Sequence, residues 1–95
     1  MKDKIDSRIL LSQAYYELKE VEVLLYHIDS SLHFLKRNPS FSKSVLTPTN
    51  NFFTFLKKLA MAKEKSGIPV LRNTLLKKKE IEERKWLLKK LEEMI

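Results

Sequence analysis

Two histidines, His27 and His33, stand close in sequence to Asp29 and to the pair Ser30-Ser31, the residue types from which a hydrolytic triad or a metal site is assembled. Their spacing argues against both. Six residues apart on a helix, the two imidazoles fall on different faces, and a chain without cysteine has no thiolate to complete a zinc site. A triad also needs an oxyanion hole, and the single glycine, Gly67, is too distant in sequence to frame one. A lone glycine also cannot form a phosphate-cradling loop. Glu17, Glu20 and Glu22 occupy polar helix positions with no apolar surround to tune an acid or a base. His33 is expected to pair with Asp29 one turn earlier, and His27 to be an ordinary helix residue. The sequence therefore predicts no catalytic residue, no metal site and no cofactor, in a protein that is not an enzyme.

The basic residues offer a different chemistry. Residues 51–95 hold twelve Lys/Arg against six Asp/Glu, whereas residues 1–50 hold seven against six, so the second half carries most of the net charge of +7. Such a field permits nucleic-acid, anionic-lipid or acidic-protein partners. Glu80, Glu82, Glu83, Glu92 and Glu93 interleave with the lysines and dilute any pure basic stripe. Leu59-Ala60-Met61-Ala62, Gly67-Ile68-Pro69 and Leu75-Leu76 together resemble a helix-turn-helix in outline. Ala62 to Gly67 is one residue longer than that motif's spacing, and Asn73 stands where it places an apolar side chain. The resemblance implies a reading helix with Arg72, Asn73, Lys77 and Lys78 as nucleic-acid contacts. A separate candidate surface for a protein partner comprises Trp86, which lies opposite the Leu88–Leu91 stripe, and Lys77 and Arg84, which interrupt that stripe.

Helices must position these residues. With 95 residues, one glycine, three prolines and 43% hydrophobic content, the chain is too apolar for a disordered tail and lacks the turn residues of a hairpin-built sheet. An all-α fold follows, a three-helix bundle or an extended helical hairpin, as one domain over residues 1–95. Leu11, Ala14, Leu18, Val21, Leu25, Ile28, Leu32 and Leu35 alternate at spacings of three and four, a coiled-coil seam that predicts one long helix over about residues 4–37. A loop over 38–47 follows, pinned by Phe41, Val45 and Leu46. Thr47-Pro48 reads as an N-cap and first helical residue, opening helix 2 over about 48–66. Its face of Phe52, Phe55, Leu56 and Leu59 is the expected core plug, packed against Leu18, Val21, Leu25 and Ile28, so that Leu25→Ala should cost about 2–5 kcal/mol. Gly67 in a left-handed conformation and Pro69 would end that helix. Helix 3 spans about 70–94, with a polar gap at Lys77, Glu80 and Arg84 where it either breaks or projects into solvent; Glu80 and Arg84, one turn apart, are spaced to pair.

A helix of 34 residues would be roughly 50 Å long and could not be covered by helix 2. Surplus seam predicts self-association, most simply a two-fold dimer through helix 1, together with a protein partner. No apolar run is long enough to span a membrane or to serve as a signal peptide, so a cytoplasmic, intracellular protein is expected. The function these features predict is a non-enzymatic helical interaction module: an adaptor, a small regulator or an assembly subunit. The alternative is a small basic nucleic-acid-binding regulator that uses the second half.

Overall fold

The computed structural model describes residues 2–62 and 67–94, with side chains from Lys4 onward. The described residues are all-helical, in five helices rather than three: α1 (Lys2–Glu17), α2 (Val21–Arg37), α3 (Lys43–Met61), α4 (Ile68–Lys77) and α5 (Arg84–Glu93). None of them is long and apolar enough to cross a membrane.

The expected long helix over residues 4–37 is instead a hairpin. Lys19 adopts a left-handed conformation, φ 61°. Around it the Lys19 amide donates to the Tyr16 carbonyl at 3.1 Å and the Glu20 amide to the Tyr15 carbonyl at 3.0 Å. This paired arrangement is a Schellman stop, with lysine where glycine usually stands. The break resets the helical phase. α1 turns Ile5, Ile9 and Ser12 inward, and α2 turns Leu24, Ile28, Ser31 and Leu35 inward. The expected seam fails at its N-terminal half: Leu11, Leu18 and Val21 are exposed, at 42%, 70% and 45%. Leu25 is only partly buried and lies outside the core cluster. With the longest dimension of the molecule at 39 Å, the length argument for a dimer through one continuous helix also falls away.

α3 is the central element and packs against each of the other four helices. Phe52, Phe53, Phe55, Leu56 and Leu59 are all buried, so the aromatic face fills the core as its composition suggested. The helix starts at Lys43, earlier than the expected Thr47-Pro48 cap, and Pro48 sits inside it. Starting early places Val45 and Thr49 one turn apart, on the face that continues to Phe52, Phe53 and Leu56. That apolar surface offsets the backbone bond that Pro48 cannot donate. Phe41, Val45 and Leu46 do pack against the core, although the latter two do so from the helix rather than from a loop. The loop itself shrinks to residues 38–42. There the Asn38 side chain closes the end of α2 by donating to the Phe34 carbonyl at 2.7 Å.

The expected ends of helix 2 and helix 3 change as well. Residues 63–66, the tail of expected helix 2 and the turn of the helix-turn-helix-like stretch, lie outside the described residues. Gly67 has φ −82°, not a left-handed value, and precedes α4 rather than closing α3. Expected helix 3 breaks between Lys77 and Arg84, one of the two outcomes its polar gap allowed. The connecting segment is tied to α3, with the Glu82 amide donating to the Pro48 carbonyl at 3.2 Å and the Asn51 side chain donating to the Glu80 carbonyl at 2.8 Å. Glu83, left-handed at φ 55°, opens α5 and accepts a hydrogen bond at 2.9 Å from Gln13 of α1.

Candidate interaction surface

Two of the three residues expected to form a partner surface have structural partners of their own. Arg84 donates from Nη1 to the Leu75 carbonyl at 2.7 Å, and from Nη2 to the Lys78 carbonyl. It caps the C-terminal end of α4, where carbonyls lack helical partners and a cation complements the helix dipole. The arginine that interrupts the apolar stripe is therefore the group that closes the broken helix, and it does not pair with Glu80. Trp86 is half-buried, edge-on to Tyr16 of α1 at 5.4 Å and tilted against Phe52 at 6.4 Å. It walls the core between three helices. Lys77 alone of the three is exposed. Arg72, Asn73, Lys77 and Lys78 are all exposed on or just beyond α4.

The histidines separate as their spacing required. His27 donates from Nε2 to the Arg8 carbonyl at 2.9 Å and lies edge-on to Tyr15 and Phe53, joining α1 to α2 and α3. His33 is exposed, and Asp29 pairs with Lys57 at 2.9 Å rather than with His33.

One groove was invisible to sequence reasoning because its walls come from both arms of the unexpected hairpin. Two adjoining cavities of about 620 and 470 Å³ share Arg8, Ser30 and Phe34. One extends toward Lys4, Ser7 and Leu11, and the other toward Tyr26, His33 and Arg37. The Arg8 guanidinium lies 4.4 Å from the centroid of the Phe34 ring and donates to Ser31 Oγ at 3.1 Å. Stacking and a hydrogen bond fix this cation in place. Tyr26 projects at 79% exposure from the same wall.

A third cavity, about 500 Å³, lies beneath the α1–α2 turn and is lined in part by Tyr15, Tyr16, Leu24, Leu59 and Lys90. Lys90 is buried, paired with Glu17 and, at 3.2 Å, with Glu93, and its ammonium lies 5.7 Å from the Trp86 ring centroid. The hydrogen bond to Glu17 raises the Lys90 pKa above its ordinary value, and the same bond lowers that of Glu17. Burial raises the Tyr16 phenol. An ammonium held protonated between two carboxylates has no free lone pair, so it serves as a lock between α1 and α5 rather than as a nucleophile or a base.

No family model matches the chain, and neither curated proteins nor solved structures provide a match.

Proposed function

We propose that the chain is a non-enzymatic helical interaction module, an adaptor or assembly subunit, that presents its α1–α2 hairpin to a protein partner. The observation that supports this reading is the distribution of exposed apolar side chains. Of the nine large ones among the described residues, six (Leu10, Leu11, Leu18, Val21, Val23 and Tyr26) lie between residues 10 and 26. Scattered single exposures need no explanation, but a concentration on one supersecondary unit marks a surface that is covered in use. Three of the eight seam residues that read as coiled coil, Leu11, Leu18 and Val21, belong to this set, so that part of the apolar spacing is accounted for by a partner rather than by the core.

Affinity purification of the tagged chain, split into nuclease-treated and untreated halves, tests the reading against its alternative. Stoichiometric protein partners should survive nuclease and should be retained at least about tenfold less well by the Leu11→Glu, Leu18→Glu double variant, as for truncated interface anchors. Both positions are exposed, so the variant should keep its fold. Capture of the same proteins at the same level by the variant would contradict the reading.

The second reading, a basic nucleic-acid-binding regulator, is favoured by the joint exposure of Arg72, Asn73, Lys77 and Lys78 about α4. On that reading the captured material is nucleic acid. Charge reversal at Lys77 and Lys78 then weakens its binding and flattens the salt dependence.

A further inference from the structure

The groove between α1 and α2 constrains the partner's chemistry more closely than the apolar side chains do. Its cations are Lys4, Arg8 and Arg37, and its aromatic walls are Tyr26 and Phe34. Asp29 is the single carboxylate lining it among the described residues, and that charge is already paired with Lys57. No described carboxylate forms an ion pair with Lys4, Arg8 or Arg37. A guanidinium has five N–H donors in a fixed fork that matches a carboxylate. Among the described residues Arg8 spends one donor, on Ser31, while its stacking on Phe34 holds the fork in position.

Positive charge without counter-charge, beside aromatic and aliphatic surface, is complementary to a ligand that is both acidic and apolar. We infer that the groove docks an acidic, amphipathic segment of the protein partner, its carboxylates on Arg8 and Arg37 and its apolar side chains against Phe34, Tyr26 and Leu11. This rests on the interaction-module reading above and specifies the partner's contact. A second copy of the chain is a poor occupant, because a two-fold contact sets the same patch against itself. The arginines of the two grooves would then be brought together in a protein of net charge +7. A nucleic-acid strand satisfies the cations and stacks on Tyr26, but a phosphate backbone gains nothing from Leu11 or from Val23, which lies one turn from Tyr26 and is 44% exposed.

Three probes test the inference on the full chain by NMR titration and fluorescence anisotropy: an amphipathic peptide of Leu and Glu heptads, a polyglutamate of equal length, and a short oligothymidylate. The heptad peptide should bind at least about tenfold more tightly than either of the others and shift the amides of Arg8, Tyr26 and Phe34. Tyr26→Ala and Arg37→Glu, both at exposed positions, should each weaken it about tenfold at unchanged melting temperature. Equal binding of polyglutamate would reduce the site to bulk charge and overturn the inference. Tighter binding of oligothymidylate with the same amide shifts would assign the groove to nucleic acid. Shifts elsewhere, or full affinity in both variants, would remove the groove as the site. If these fail while the Leu11/Leu18 variant still loses its protein partners, the interaction module stands and only the groove's ligand falls.

Discussion

Leu24→Ala is expected to cost about 2–5 kcal/mol, and the adjacent Leu25→Ala less than about 1 kcal/mol. Leu24 is 1% exposed and belongs to the core cluster, whereas Leu25 is partly buried outside it. Truncating Leu24 removes three buried carbons and leaves a void that α3 can only partly close, because Leu59 and its neighbours are themselves locked in the core. Truncating Leu25 removes surface that water already reaches. The pair discriminates because a continuous seam through Leu18, Val21, Leu25 and Ile28 would reverse the order. Urea unfolding of both variants at equal m-value reads it directly. A larger loss at Leu25 would restore the long straight helix and dismantle the hairpin.

Arg84→Ala is expected to cost about 2 kcal/mol, since two charge-assisted hydrogen bonds to main-chain carbonyls disappear at a half-buried site. The Leu75 carbonyl is the more consequential loss: its own side chain is fully buried and the end of α4 is anchored there. Arg84→Lys should recover less than half of the loss, because one ammonium cannot match the planar fork that spans the carbonyls of residues 75 and 78. Amide exchange through the last turn of α4 should rise in both variants ahead of that in α3. A cost below about 0.5 kcal/mol would mean that the residue 78–83 connection is held by its ties to Gln13, Pro48 and Asn51 without Arg84.

These two sites also mark where the sequence was legible. Helical class, the aromatic plug of α3 and a disturbance at residues 77–84 follow from composition and apolar spacing, because burial of one face imposes a period of 3.6. The break at Lys19 does not: a left-handed stop normally advertises itself by glycine or asparagine, and here it carries Lys19 between Leu18 and Glu20, all ordinary helix formers. Only the change of phase, from Ile5-Ile9-Ser12 to Leu24-Ile28-Ser31, records it, and two buried serines hide that record from a search for apolar residues. Pro48 misled in the opposite sense, since a proline early in a helix reads as its first residue when tertiary contacts have extended the helix upstream. The groove was illegible for a derived reason. Arg8 and Phe34 are far apart in sequence and meet only once the hairpin closes. Trp86 and Arg84, conspicuous in sequence as an aromatic opposite the apolar stripe and a charge that interrupts it, pack against the core and close a helix end.

The hairpin is the premise of both the exposed apolar surface and the groove, so the distance between its arms is the most direct test. The chain contains no cysteine, so Ser7→Cys and Ser30→Cys provide clean attachment points for spin labels on two exposed positions that line the same groove. Packed helices lie about 8–10 Å apart, so a label-to-label distance under about 20 Å is the expected result. A distance centred near 35 Å, the rise of about 23 residues of uninterrupted helix, would contradict the hairpin and with it the proposed surface.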